Sequence, residues 1–419
     1  MWEFQHPSKA IIDVRGRLRG RRIVLAVTGS IALVKTPEIA RSLMKLGAEV
    51  YPVMSPSAQR MLSPMVLEWA TGNTPVTEIT GRIENIATVL GLPDGKPVDL
   101  VLVAPATANT IAKLAHGIND TPVTAFALAA LGAGIPVLVA PAMHQQLLSN
   151  KTAEENLRKI EGLGFEVVMP RVEERKAKLA DVEAIVEAVV RRLTAKTLAG
   201  LRFLVTAGPT VEPLDPIRHI SNRSSGLMGV ALAVEAYRRG ADVTLIYGPG
   251  TVKPPQHLKV VKVRTAEEMF NAALEELKRE KYHVFISAAA IADYAPAEPF
   301  QKKIPTEEFK ELKVTLKSTP KLVDEVKRVN PETFLVVFKA EYDVSEEELI
   351  QRALKKLKSC EGDFAVANDL AKPELGFQSE EIEAIIVDKN GETKKIPRSL
   401  KTEVACEILD VVAEKLGRI

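Results

Sequence analysis

The chain has 419 residues, 46% of them hydrophobic, which at about 150 residues per domain furnishes two or three cores and excludes disorder or a small disulfide scaffold. Its 56 lysines and arginines face 54 acidic residues, so the net charge of +2 gives no global field for nucleic acid or an anionic membrane. Cys360 and Cys406 are its two cysteines, which excludes a cysteine-rich zinc site and suits a reducing, cytoplasmic setting.

Residues 1–20 read as a basic N-terminal extension that meets solvent. Its arginines, from Arg15 onward, follow rather than precede any apolar run, unlike those of a signal peptide. Short β-branched runs then alternate with helical patterns: strands at 23–27, 50–54, 100–104, 137–140 and 167–169, with a helix at 36–46 opened by Pro37 and closed by Gly47. Continuous apolar strands joined by helices predict a parallel sheet covered on both faces. Residues 121–143 carry no charge and are long enough to suggest a membrane span. Gly132, Gly134 and Pro136 interrupt them, so they read as a buried helix, a turn and a buried strand.

A helix at 182–193 ends in arginines, and the domain join is expected at 194–200. A second series repeats the plan, with strands at 203–206, 243–247, 284–287, 334–338 and 364–367. Gly47-Ala-Glu-Val50 is echoed by Gly240-Ala-Asp-Val243. The expected architecture is α/β: two Rossmann-like three-layer domains with mainly parallel sheets, spanning 21–195 and 196–419.

In the first half Thr28-Gly-Ser-Ile-Ala32, Pro105-Ala-Thr-Ala-Asn109 and Pro141-Ala-Met-His144 each follow a predicted strand. Ligands of open α/β sheets bind at the carboxyl ends of strands, so these loops are candidates to line one site. Together they closely resemble the flavin-dependent phosphopantothenoylcysteine decarboxylases over most of residues 20–190. The resemblance implies a flavodoxin-like domain that holds FMN at an oligomer interface, commonly a trimer's. Gly29, Ser30 and Ile31 would approach the FMN phosphate, and Ser55, Pro105, Ala106, Thr107, Ala108 and Asn109 would help hold the cofactor. It further implies that the flavin oxidises the substrate's cysteine thiol, easing loss of the carboxylate, and then returns the hydride.

In that family a histidine after the second strand, an asparagine in the Pro-Ala-Met-Asn loop and a flap cysteine serve the reaction. Here Asn85 or Arg82 stands at the first position, His144 replaces the asparagine, and the flap at 171–181 has no cysteine. His144 resembles the pattern of archaeal-looking members and is the candidate to act in place of the usual histidine. His116 reads as a helix C-cap.

In the second half the stretch from Val205 to Gly229 runs from a strand end into a helix whose start, Ser224-Ser225-Gly226, offers N–H groups and hydroxyls to an anion. Ala288-Ala-Ala-Ile-Ala-Asp293 follows the strand at 284–287, with Lys302 and Lys303 beyond. With Thr319-Pro-Lys-Leu-Val323, Phe338-Lys-Ala-Glu341, Ala367-Asn-Asp369 and Gly376-Phe-Gln-Ser379, this closely resembles phosphopantothenate–cysteine ligase over essentially all of residues 200–419.

That resemblance implies attack of the phosphopantothenate carboxylate on the α-phosphorus of a nucleoside triphosphate, CTP in prokaryotic members, and then displacement of CMP by cysteine's amine. Mg²⁺, held mainly by the triphosphate, and Lys303 would neutralise the approaching anions. Asp293 matches the nucleotide-site acid, and Asn222 the asparagine associated with the acyl-nucleotide intermediate. Gly208, Ser224, Ser225, Gly226, Ser287, Ala288 and Ala289 match nucleotide-site positions, as do Pro320, Lys321, Leu322, Val323, Phe338 and Lys356. Cys360 replaces a basic residue often found there.

The two halves thus imply consecutive steps of coenzyme A biosynthesis, the ligase product being the decarboxylase substrate. Homo-oligomers with paired ligase domains and trimeric flavin domains follow from the resemblance, with small-molecule substrates and no membrane or nucleic-acid partner. Two alternatives stand beside this reading: an active ligase with a silent flavin-binding half, and a non-catalytic regulatory flavoprotein.

Overall fold

The computed structural model describes residues 6–13, 16–92, 95–173, 176–305, 307, 311–371, 376 and 379–419, and the chain divides into compact units at 1–194 and 195–419. In the first unit the strands β1 (Arg22–Val27), β2 (Glu49–Met54), β3 (Leu100–Ala106), β4 (Val137–Pro141) and β5 (Glu166–Val167) form one parallel sheet in the order β2-β1-β3-β4-β5. Ile23 to Val27 are fully buried, since helices cover both faces. Ile23, Val24, Leu25 and Val27 each contribute about 1.5–3 kcal/mol on leaving water.

Helices Thr36–Lys45 and Val182–Leu193 pack on one face, and Ala108–Ala115 and Pro122–Gly132 on the other. The uncharged stretch is thus a buried helix and strand, and no helix among the described residues is long and apolar enough to cross a membrane.

The described part of 7–20 packs against the first unit through Leu18, which is buried and whose N–H bonds Leu46 O at 2.6 Å, while Arg17 and Arg19 stay exposed to solvent as expected. A side chain at Gly16 would collide with that same carbonyl. The strand expected at 167–169 is only Glu166–Val167, and Met169 lies exposed beyond the last ladder contact. Arg15 lies outside the described residues.

The main sheet of the second unit has eight strands: β6 (Arg202–Ala207), β7 (Asp242–Tyr247), β8 (Lys259–Lys262), β9 (Val284–Ser287), β10 (Phe334–Glu341), β11 (Phe364–Asp369), β12 (Glu381–Asp388) and β13 (Thr393–Leu400). Their order is β8-β7-β6-β9-β10-β11-β12-β13. Neighbours pair in parallel from β8 to β11, whereas β12 pairs antiparallel with both β11 and β13. The apolar-run reading missed β8, β12 and β13. β13 is a polar edge strand with Ile396 as its one buried residue and Pro397 beside it, so pairing with β12 and not its own composition makes it a strand.

Candidate active sites

In the first unit, three loops meet at the carboxyl edge of the sheet through specific hydrogen bonds. Thr28 Oγ1 donates to Pro105 O at 2.7 Å and accepts from Thr107 N–H at 3.1 Å, tying the ends of β1 and β3 together. The Ala142 N–H donates to Ala106 O at 2.9 Å, which brings in the loop after β4. Thr107, Ser55 and Ser30 then cap the helical segments that follow them, accepting from the N–H groups of Thr110, Ala58 and Ala32. Gly29 lies so near Ser57 that a Cβ there would sit 2.6 Å from the serine's Cβ, so this turn admits only glycine.

Beside the Ser30 turn opens a cavity of ≈ 600 Å³, walled by Ser30, Ile31, Val34, Met143, His144 and Leu179 among others. Ile31 and Val34 are 76% and 62% exposed, giving it an apolar lip. Of the expected site residues Ser30, Ile31 and His144 line this cavity. Gly29, Ser55 and the 105–109 segment build the edge beside it, where Pro105 and Ala106 complete β3 and Ala108 and the exposed Asn109 open the next helix. A cavity of this size, with apolar Ile31, Val34, Met143 and Leu179 and polar Ser30, Lys35 and His144 in its wall beside the tight Gly29 turn, fits a flavin mononucleotide.

Asn85 lies half-buried in the helix Glu84–Leu90 and does not line the cavity within one chain. His144 is exposed at its wall, and the backbone of Met143–His144 pairs antiparallel with Lys176–Lys178, itself paired with Arg171–Glu173. Histidine and flap are therefore joined in one small sheet, which no local pattern indicated. His116 ends the helix Ala108–Ala115, its Nδ1 2.9 Å from Ala112 O, as expected of a C-cap.

In the second unit the loops after β6 and β9 are interlocked. Ala290 N–H donates to Gly208 O at 2.9 Å, and Asn222 Nδ2 donates to Ala290 O at 3.0 Å. Gly208 has φ +82°, and a Cβ there would stand 2.7 Å from Gly248 O. The helix Leu227–Arg238 begins at Gly226, with φ +84°, and the Gly226 and Leu227 N–H groups donate to Ser224 and Ser225 Oγ, both at 3.3 Å. A cavity of ≈ 350 Å³ opens at this helix end. Asn222, Ser224, Ser225, Gly226, Ala288, Ala289, Asp293 and Phe338 all line it, while Ser287 and Gly208 are buried behind its wall.

The remaining ligase-type candidates lie around this cavity without lining it. Lys321 forms an ion pair with Asp293 and precedes the helix Leu322–Val329, which carries Val323; Pro320 stands just before it. Lys356 pairs with Asp324 at 2.9 Å. Cys360 is buried, and burial pushes its thiol above the ordinary range. Lys303 is exposed between the hairpin strands Tyr294–Pro296 and Leu316–Ser318. Phe377 and Gln378 lie outside the described residues.

Sequence reasoning missed the anchor of the Lys303 segment. Asp215 is buried and accepts from the N–H groups of Ile217 at 2.8 Å, Arg218 at 2.6 Å and Ile304 at 3.2 Å, while the Arg218 guanidinium also donates to Ile304 O. Burial acts to raise its pKa, but these donors and the arginine prevail and hold the carboxyl at about 2. The Asp-Pro pair at 215–216 was the available signal for such a turn. Lys339 and Lys401, also missed, line the cavity.

Residues 11–194 match the Flavoprotein family, and residues 198–416 match the DNA/pantothenate metabolism flavoprotein C-terminal domain. The coenzyme A biosynthesis bifunctional protein CoaBC of Thermococcus kodakarensis is 46% identical over 412 residues, covering 98% of this chain and 100% of that protein. Its namesake in Methanocaldococcus jannaschii is 36% identical, covering 100% of this chain and 98% of the relative. That of Escherichia coli K12 is 34% identical, covering 95% and 98%.

Proposed function

Because the chain belongs to the family of coenzyme A biosynthesis bifunctional proteins, we propose that its two sheet-edge cavities divide two consecutive reactions between them. The protein is an enzyme of coenzyme A biosynthesis with ligase and decarboxylase activities, so neither a silent flavin half nor a purely regulatory role is adopted. The observation that carries the division is that the second cavity opens at the helix end of Gly226 with Lys339 and Lys401 in its wall, whereas the first carries the exposed apolar lip of Ile31 and Val34.

In the second unit the phosphopantothenate carboxylate attacks the α-phosphorus of CTP, forming the acyl-cytidylate with loss of pyrophosphate. Cysteine's amine then displaces CMP and forms the amide. Mg²⁺ carried mainly by the triphosphate, with Lys303, lowers the repulsion between the two anions. Lys303 stands on an exposed segment pinned at Ile304 by Asp215 and Arg218, which supports a lysine that swings over the bound reactants. Asn222, held by Ala290 O, presents its remaining amide groups to the acyl-nucleotide.

In the first unit Gly29, Ser30, Ser55 and the 105–109 segment would hold FMN. Bound there, FMN supplies reversible oxidation at the cysteinyl thiol, which eases departure of the carboxylate. His144 on the cavity wall is the group that moves a proton, and the hairpin paired to it closes over the substrate. Asn85 would meet a neighbouring subunit's site in a trimer of flavin domains. The exposed Ile31, Val34, Met65 and Trp69 support such self-association, as Ile217 and Tyr294 support paired ligase domains. The setting is cytoplasmic.

The test supplies purified, FMN-loaded protein with phosphopantothenate, cysteine and either CTP or ATP, measuring pyrophosphate, and separately measures carbon dioxide from phosphopantothenoylcysteine. CTP-preferred ligation and enzymatic carbon dioxide release are expected. Ligation without carbon dioxide release would overturn the assignment of the first cavity, and its absence with either nucleotide that of the second.

A further inference from the structure

The cavity of the second unit faces two helix N-termini. β13 is parallel to β11, because both run antiparallel to β12, so the chain leaves β13 at the carboxyl edge of the sheet and begins the helix Lys401–Lys415 there. The helix Leu227–Arg238 starts at that edge too, and the pair runs side by side over one core. Arg239, ending the first helix, reaches Asp410 at 2.6 Å and Cys406 O at 3.1 Å, as a parallel pair requires. Helices of 12 and 15 residues therefore direct their positive ends toward one space.

Lys401 occupies the first position of the longer helix, where the dipole disfavours a cation, yet it is 5% exposed and lines the cavity. Desolvation pushes its ammonium below the ordinary lysine range. An independent observation points the same way. Asn368, 6% exposed on the strand face these helices cover, lines the cavity and makes no side-chain hydrogen bond among the described residues. An amide with no partner among the described residues, facing the cavity beside a buried lysine and two helix N-termini, is a site suited to a polar anion.

Resting on the ligase reading, we propose that Lys401 is a substrate-binding residue that holds a phosphoryl group of one of the two anionic ligase substrates, the nucleoside triphosphate or the phosphorylated acid. Nothing in the reaction needs it to move a proton. Its charge offsets the phosphoryl charge, and the two helix ends share the load.

The experiment uses the full-length protein and Lys401→Met, with Lys401→Arg as the charge-preserving variant. Calorimetric titration with inorganic pyrophosphate needs no turnover, so it tests the anion site even if the ligase reading fails. About tenfold or greater weakening by Lys401→Met, largely restored by Lys401→Arg, is expected. In steady state, a raised KM for CTP would identify the nucleotide as the source, and a raised KM for phosphopantothenate alone would identify the acid, each with kcat changed far less. Should Lys401→Met fail to fold, Lys401→Gln is measured in its place. Unchanged pyrophosphate affinity together with unchanged KM for both substrates in a folded variant overturns the proposal, whatever happens to the melting temperature.

Discussion

The two units begin from the same plan and diverge at the far edge of their sheets. The first stops after five parallel strands, and its candidate site is built at the ends of β1, β3 and β4. The second adds the antiparallel pair β12 and β13, which returns the chain to the carboxyl edge and brings a further helix N-terminus to the cavity. The added strands thereby bring a second helix N-terminus to the cavity, which supports the anion site proposed there.

The contrast breaks most sharply at Lys303. Lys303→Ala is expected to lower ligation and pyrophosphate release by about 100-fold or more, with the flavin spectrum unchanged, because it removes the lysine proposed to neutralise charge at the reacting phosphorus. His144→Ala makes the reciprocal cut. Carbon dioxide release should fall by about 100-fold while ligation persists, and equal loss of both activities would mean that the histidine serves the fold.

A smaller effect is expected from Gly226→Ala. The new Cβ would stand 2.9 Å from the Tyr247 ring at a φ of +84°, costing about 1–3 kcal/mol of stability and raising the KM for nucleotide. A weaker and pH-dependent effect should come from Asp215→Asn. The carboxyl is held at about 2 against an ordinary 3.8, so its stabilisation is complete above the unfolded value and fades as pH falls through the folded one. Melting curves of the wild type and variant should therefore differ most above about pH 5 and converge toward pH 2. A constant difference across that range would show that Asp215 acts by packing instead of charge.

Much of this was legible in residue order. The fully buried runs of β1, β3, β6 and β9, the helix starts at Thr36 and Leu227, and the glycine turns at 29 and 226 all declare themselves within a few neighbours. The candidate loops at both sheet edges stand out because each follows an apolar strand. Asp215 and Lys401 were not. Asp215 has its partner Ile304 89 positions along the chain, and Lys401 has the sequence context of an ordinary surface lysine until the sheet is assembled.

By itself the sequence determined two α/β units, most of their parallel strands and the loops that carry the candidate residues, because hydrophobic period and turn composition are local properties. Only the tertiary structure decided that a polar segment such as β13 would be a strand, that the flap would pair with His144, and that two helices would aim at one cavity. Those outcomes depend on backbone groups distant in the chain satisfying one another's hydrogen bonds, and no residue's own preference encodes its eventual partner.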